Sequence, residues 1–262
     1  MSELTWRSTV AAPILTSLVL LSAWELVAVF GLVPPYVLPA PTAILLRISD
    51  TWSLLFAHSV VTAVEIVLGF LLAVVVGGGL AVIIVYHPPF EATVAPWIVV
   101  SQVIPKVALG PLFVIWLGFG LLPKVIIAFL IAFFPILIDT VVGLRSVERD
   151  SIFLLQAMGA NRWKIFWYLL LPSALPNIFA GMKVAITLAT VGAIVGEFVG
   201  ANEGLGYVIL FANGTMDTSL LFSALVVLSV LAFVLYAIIG VLQNVFVRWH
   251  VSQRVGSSSV TM

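Results

Sequence analysis

The chain has 262 residues, of which 63% are hydrophobic and only 8% charged, and its mean hydropathy is +1.26. A soluble domain needs far more charge to solvate its surface, so this composition excludes one and predicts a chain that lives in lipid. The net charge of zero gives no long-range field for nucleic acid, and the absence of cysteine excludes disulfides, thiolate metal sites and cysteine nucleophiles.

Apolar stretches account for most of the chain, and each is continuously apolar rather than alternating, as expected for membrane helices and not for strands of a barrel. With roughly 20 residues needed per crossing, the length allows about six spans. The first stretch is too long for the apolar region of a signal peptide, so we predict a retained span. The prediction is an all-α polytopic membrane protein, a single transmembrane domain over 1–262, with spans at 12–31, 60–86, 92–117, 122–144, 174–199 and 219–246.

The distribution of basic residues predicts the orientation. Two of them, Arg47 and Lys124, are counted on the outer side, and the connection 32–59 is predicted to be external, with Thr42 to Phe56 able to form a surface helix. We therefore expect both termini and the loop 145–173 to be cytoplasmic. The residues counted on the cytoplasmic side are Arg7, Arg145, Arg149, Arg162, Lys164, Arg248 and Arg254.

The segment from Glu148 to Pro176 has the pattern of two short helices. A helix over Ser151 to Met158 is predicted to end at Gly159, and Asn161 is suited to cap a second helix. Pro172 and Pro176 are predicted to end that helix and begin the next span. Periodicity alone leaves open an amphipathic hairpin that only anchors a loop. The residues predicted to share one face of the second helix are Trp163, Phe166, Trp167 and Leu170.

Residues 156–162 and 169–176 resemble the EAA loop of ATP-binding cassette (ABC) importer permeases, in which a Glu-Ala-Ala triplet precedes a Gly and an Ile-x-Leu-Pro sequence. Gly159 matches the glycine, and Leu171 and Pro172 match the final Leu-Pro, whereas Phe153-Leu154-Leu155 replaces the triplet. The glutamate that contacts the ATPase in this family is thus missing. The resemblance implies a coupling-helix loop at 148–172, in which the ATPase-coupling residues are Leu155, Gln156, Ala157, Met158, Gly159, Ala160, Asn161, Arg162 and Pro172.

The resemblance continues outside this loop, at 104–112, 116–120, 196–198 and 204–207, where the chain is similar to the nitrate, sulfonate, taurine and bicarbonate permease group, which includes importers of thiamine-pyrimidine precursors and riboflavin. It implies the type I importer fold, a location in the cell inner (plasma) membrane, and a homodimer that binds two ATPase subunits and an external or periplasmic substrate-binding protein. The sequence contains no G-x-x-x-x-G-K-[ST] phosphate loop. ATP and Mg are therefore expected on the ATPase partners, and this chain is expected to bind no cofactor and to catalyse no reaction itself.

Polar groups inside apolar stretches are candidates for the translocation pathway because they are costly in lipid. Lys106 follows Pro105, which frees a carbonyl and can open the helix towards a cavity; snorkelling or pairing with Glu197 is the alternative. A structural ion pair is predicted between Asp139 and Lys183. The predicted pathway residues are Gln102, Pro105, Lys106, Thr187, Thr190 and Glu197, although the threonines can instead bond their own helix backbone.

The remaining features have simpler interpretations. Glu25 and Glu65 are expected to be solvated or to pack between helices, and the run 77–79 of three glycines to allow close helix packing. The three histidines lack ligand spacing, so no metal site is expected. The leading hypothesis is an importer permease for a small solute, an organic or inorganic anion (sulfonate, taurine, nitrate) or, by weak preference, a heterocyclic vitamin precursor. An ion-coupled secondary transporter and a membrane-embedded enzyme are the alternatives.

Overall fold

A computed structural model describes residues 2–247, with side chains from residue 12 onwards. Every regular element between residues 2 and 247 is helical, which confirms the predicted all-α class. The helices are α1 Ser2–Val29, α2 Pro41–Asp50, α3 Trp52–Tyr86, α4 Pro88–Val103, α5 Gly110–Leu117, α6 Leu121–Arg145, α7 Arg149–Ala157, α8 Arg162–Ile165, α9 Leu171–Gly200, α10 Leu205–Gly214 and α11 Thr218–Phe246. A 3₁₀ turn at Lys106–Leu109 precedes α5, and a π turn at Phe166–Leu170 joins α8 to α9.

Five of the described helices are long and apolar enough to cross a membrane, and a bent pair makes a sixth if it counts as one span. The pair consists of α4 and the segment Lys106–Leu117, which meet at 83°. The span predicted over 92–117 is therefore broken at Pro105, where the sequence predicted an opening of the helix. The cause is local: Pro105 has no amide hydrogen to donate, and Ile104 before it is extended, with φ −65° and ψ 126°.

The helix α3 is longer than predicted, because it begins at Trp52 and runs for 35 residues. At 1.5 Å per residue this is about 52 Å, well beyond the roughly 30 Å of hydrocarbon, so part of α3 extends out of the membrane. The surface helix predicted from Thr42 to Phe56 is instead α2, followed by the first turn of α3.

The chain forms two compact units, one of residues 2–61 with 203–229 and one of residues 62–202 with 230–247. In the first unit, Glu25 caps α2: its carboxylate accepts from the backbone N–H of Thr42 at 3.1 Å and from its hydroxyl at 2.7 Å. Arg47 pairs with Asp217 at 2.5 Å. These contacts fasten α1 and α11 to α2.

In the second unit, α6 and α9 pack through small residues. A Cβ added to Gly192 would lie 2.6 Å from Ala128 Cα, and one added to Gly69 of α3 would lie 2.5 Å from Ala128 Cβ. Both neighbouring helices thus approach the same alanine of α6 at backbone distance. Such contacts drive helix association in lipid, where apolar burial against water is absent.

The prediction for the three consecutive glycines is confirmed for only one of them. A Cβ on Gly77 would lie 3.2 Å from Ile136 Cγ2 and from the carbonyl oxygen of Phe133, so this glycine packs against α6. Gly78 and Gly79 have nothing within 4 Å of a built Cβ. The run therefore contributes one packing position, because successive residues of a helix point in different directions.

Candidate coupling loop and intramembrane polar sites

The turn at Gly159 ends α7 in a Schellman arrangement. The N–H of Ala160 donates to the carbonyl of Leu155 at 2.9 Å, and the N–H of Gly159 donates to the carbonyl of Gln156 at 2.9 Å. Gly159 has φ +82°, in the left-handed region that favours glycine. The helix end predicted from the sequence is confirmed.

The second helix starts at the predicted cap: Asn161 Oδ1 accepts from the backbone N–H of Lys164 at 2.8 Å. The helix then continues through the π turn into α9 without interruption, so that one helical segment of 39 residues runs from Arg162 to Gly200. Pro172 stands in the first turn of α9 and Pro176 lies within it, but neither proline ends the preceding helix, so that prediction is wrong.

The prediction that four side chains share the apolar face of the second helix is confirmed for two of them. Phe166 and Leu170 are buried with Ile165, whereas Trp163 and Trp167 are 71% and 58% exposed. At 3.6 residues per turn the four side chains span roughly 100° of the helix circumference, and only the part of this arc with Phe166 and Leu170 faces the cluster that contains Ile165.

The coupling loop exposes an apolar surface where the family triplet would stand. Phe153 is 61% exposed, Leu154 63% and Met158 74%. Leu155 and Ala160 instead pack inward against the cluster that contains Leu144 and Ile165. The predicted coupling residues thus divide into these two supporting positions, a half-buried Pro172, and an exposed set of Gln156, Ala157, Met158, Gly159, Asn161 and Arg162.

Lys106 lies at the break in the bent span. Its ammonium is 4.5 Å from the centroid of the Phe134 ring and donates to the carbonyl of Gln102 at 3.5 Å. No ion pair with Glu197 is present among the described residues, so that alternative is wrong. The opening of the helix next to Pro105 does agree with the prediction.

A buried polar cluster, which we name the four-residue cluster, consists of Thr62, Glu65, Lys124 and Glu197. Lys124 Nζ donates to Glu65 Oε1 at 2.6 Å, and the hydroxyl of Thr62 donates to Glu197 Oε1 at 2.7 Å. The exposed fraction is 7% for Lys124 and 0% for the other three. Thr62 and Glu65 lie one turn apart on α3, Lys124 is on α6 and Glu197 on α9, so the cluster joins three helices.

The sequence pattern does not predict this cluster. By that pattern Lys124 counts among the external charges and Glu65 can be solvated, whereas the structure places both in the protein interior. The available signal was a lysine between Pro123 and Val125 at the start of a long apolar run, together with a glutamate deep inside another such run. Opposite charges in two apolar spans have to find partners.

The six predicted pathway residues do not form one site in the described part of the chain. The hydroxyl of Thr187 donates to the carbonyl of Val184 at 2.7 Å, and that of Thr190 donates to the carbonyl of Ile186 at 3.0 Å. Both therefore bond their own helix, which was the stated alternative. Glu197 belongs to the four-residue cluster and does not pair with Lys106 in the described part of the chain.

The ion pair predicted between Asp139 and Lys183 is also wrong, since the described residues contain none between them. Asp139 packs against Gly181, where a Cβ would lie 2.8 Å from Asp139 Cβ. Lys183 is two residues further, about 200° around the helix axis, and its ammonium lies 5.8 Å from the Tyr236 ring centroid. Asp139 of α6 therefore faces α9 at Gly181, whereas Lys183 of α9 points towards Tyr236.

Comparison with known proteins identifies the family. Residues 65–250 match the family described as the binding-protein-dependent transport system inner membrane component. The riboflavin transport system permease protein RibX of Chloroflexus aurantiacus is 39% identical over 239 residues, 90% of this chain and 89% of that protein. The formylaminopyrimidine transport permease protein ThiX of Halalkalibacterium halodurans is 38% identical, over 92% of this chain and 96% of that protein. The taurine transport system permease protein TauC of Escherichia coli is 27% identical, over 95% and 94%.

A solved structure shares the fold. A chain of the MetNI methionine ABC transporter in an inward-facing conformation has a TM-score of 0.64, at 18% identity, over 75% of this chain and 98% of that chain. The predicted type I importer permease fold is confirmed. The chain belongs to the binding-protein-dependent transport system inner membrane components, and is the multi-span permease subunit of an ABC importer.

Proposed function

We propose that this permease works as a pair of identical copies, receives a heterocyclic vitamin or vitamin precursor from an external binding protein, and is driven by two ATPase subunits docked on the coupling loop. Both termini then lie in the cytoplasm. The observation that carries the proposal is the uninterrupted helix from Arg162 to Gly200, since it connects the loop directly to the interior of the bundle.

The continuous helix supports transmission of ATPase movement. A displacement of the coupling loop moves α8, and the helical backbone passes it to α9 because the π turn does not break the chain of hydrogen bonds. From α9 it reaches α6, which is packed at backbone distance through Gly192 and Gly196. Closely packed helices move as rigid bodies between discrete arrangements, as alternating access requires.

The ATPase contact has to differ from the family pattern, since no triplet glutamate is available. We propose that the exposed side chains of Phe153, Leu154 and Met158 enter an apolar part of the ATPase cleft. Burial of such side chains contributes about 1.5–3 kcal/mol each. ATP and Mg stay on the ATPase.

Lys106 is our candidate for contact with the solute in the bent span. Its ammonium has no carboxylate partner in the described structure and faces the Phe134 ring. A cation next to an aromatic ring suits a ligand with an electron-rich ring and polar oxygens. Gln102, whose carbonyl accepts from this ammonium, lies one turn earlier.

The substrate class is inferred from the relatives. The two with 39% and 38% identity are named for riboflavin and formylaminopyrimidine, both nitrogen heterocycles, whereas the one named for taurine has 27%. The greater similarity favours a heterocycle over a sulfonate.

The test is reconstitution of the permease with its own ATPase and binding protein in proteoliposomes. Riboflavin, formylaminopyrimidine and taurine are offered separately, and radiolabelled uptake is measured with ATP inside or outside the vesicles. We expect a heterocycle to be taken up. This uptake should require ATP at the cytoplasmic face of the permease. Uptake driven by a proton gradient without ATP would favour a secondary transporter, and uptake of taurine alone would overturn the substrate class.

A further inference from the structure

An apolar groove lies between the end of α3 and α8, and we name it the α3–α8 groove. It is lined by Val82, Ile83, Tyr86, His87, Arg162, Trp163 and Phe166. Its volume is about 250 Å³. The hydroxyl of Tyr86 donates to the carbonyl of Arg162 at 3.4 Å, and the Tyr86 and Phe166 rings are 6.3 Å apart, so both helices contribute to one continuous wall.

The groove carries positive charge at Arg162, and Lys164 lies two residues further along α8. In the described part of the chain, the side chains of Arg162 and Lys164 take part in no ion pair, and both are exposed. Arg145, at the end of α6, is different because the carboxylate of Glu91 binds its guanidinium. The groove therefore combines apolar walls with a free cation at its mouth.

Exposed aromatic side chains flank the groove on α8 and the π turn. Trp163 is 71% exposed, Trp167 58% and Tyr168 80%, all within two turns of Arg162. Tryptophan and tyrosine concentrate at membrane–water interfaces, and neighbouring basic residues attract anionic lipids by about 1 kcal/mol each.

We propose that the α3–α8 groove binds one anionic phospholipid, whose phosphate lies against Arg162 and whose acyl chain lies on Ile83 and Phe166. Val82, Ile83 and Phe166 offer no polar group to a polar solute. Arg162 is the one coupling residue that lines the groove, whereas the apolar ATPase contact proposed above uses Phe153 and Leu154 of α7 and Met158 after it. Bound in this way, the lipid connects the end of α3 to α8 and holds the coupling loop against the membrane.

Native mass spectrometry of the purified permease–ATPase complex tests the binding step directly. Phosphatidylglycerol and phosphatidylcholine are titrated against the native complex and against Arg162→Gln, Ile83→Trp and the control Arg149→Gln. Arg149 is also exposed and basic but does not line the groove. We expect the native complex and Arg149→Gln to retain phosphatidylglycerol at least tenfold more tightly than Arg162→Gln and Ile83→Trp. Only variants that keep their ATPase subunits and thermal unfolding midpoint are compared.

Three results would overturn the proposal. Equal retention of the two lipids by the native complex would mean that the headgroup charge is not recognised. Unchanged retention of phosphatidylglycerol by Ile83→Trp would mean that the groove itself is not occupied. If free glycerol phosphate competed as well as phosphatidylglycerol does, the acyl chain would contribute nothing to binding. Because lipid binding is measured without transport, a failed uptake experiment would leave this result unaffected.

Discussion

Lys124 Nζ lies 2.6 Å from Glu65 Oε1, and this ion pair connects α6 to α3 in a part of the protein where the two side chains are 9% and 0% exposed. The backbone supports the contact, because a Cβ on Gly196 of α9 would lie 2.9 Å from Lys124 Cα. Glu197, the next residue on α9, accepts from Thr62 of α3. Three spans are thus held together by polar contacts as well as by small-residue packing.

Removing one partner of this pair is expected to be costly. Lys124→Met leaves the Glu65 carboxylate buried without its cation, which destabilises the folded state by about 3 kcal/mol. The free energy of unfolding in detergent measures this effect. The double variant Lys124→Met with Glu65→Leu should recover most of the loss, whereas Lys164→Met, at an exposed position, should change it little. Equal and additive losses from the two buried substitutions would contradict a coupled pair.

Close packing at Ala128 is expected to make Gly192 intolerant of any larger side chain. Gly192→Val places carbon atoms where α6 backbone already lies, and the forced separation of α6 from α9 should cost at least about 2 kcal/mol. Gly79→Val is the matched control, because nothing lies within 4 Å of a Cβ there. Thermal unfolding of both variants distinguishes the sites, and equal midpoints would refute the packing argument.

The apolar surface of the coupling loop gives a prediction that runs against the family motif. Phe153→Glu restores the residue type of the triplet, yet we expect it to weaken ATPase binding at least tenfold, about 1.4 kcal/mol, because an apolar contact is replaced by a buried charge. Phe153→Leu should bind nearly as the native chain does. Dissociation constants with the purified ATPase provide the measurement, and tighter binding by the glutamate variant would show that this ATPase keeps the ordinary polar contact.

Lys106 is expected to act on transport without affecting assembly. Lys106→Gln removes the cation next to Phe134, and we expect uptake at subsaturating substrate to fall about tenfold, equivalent to about 1.4 kcal/mol. Lys106→Arg keeps the charge and should keep most of the uptake. Basal ATP hydrolysis and complex yield serve as controls. Normal uptake by Lys106→Gln would exclude this residue from the pathway.

The chain contains no cysteine, so single introduced cysteines can report its orientation. Met158→Cys is expected to react with a membrane-impermeant maleimide only in inside-out vesicles, and Tyr36→Cys only in right-side-out vesicles. Both native side chains are well exposed, at 74% and 70%. The reverse labelling pattern would invert the proposed orientation and remove the coupling loop from the ATPase side.

Local chemistry explains which predictions succeeded. The end of α7 at Gly159 and the cap at Asn161 are confirmed because each depends on a few neighbouring residues. Gly159 supplies the left-handed φ that ends α7, and the side-chain oxygen of Asn161 accepts from the backbone N–H three residues later. The helical class and the approximate number of spans follow from the same kind of information, since lipid satisfies no backbone hydrogen bonds.

The sequence by itself determined the membrane class, the positions of most spans and the helix–turn–helix of the coupling loop. Only the tertiary structure decided that Lys124 pairs with Glu65 rather than facing water, that Lys183 turns away from Asp139, and that Gly192 packs while Gly79 does not. The physical reason is that lipid-facing and protein-facing surfaces of these helices are equally apolar, so hydropathy carries no signal for which side of a helix meets its neighbour.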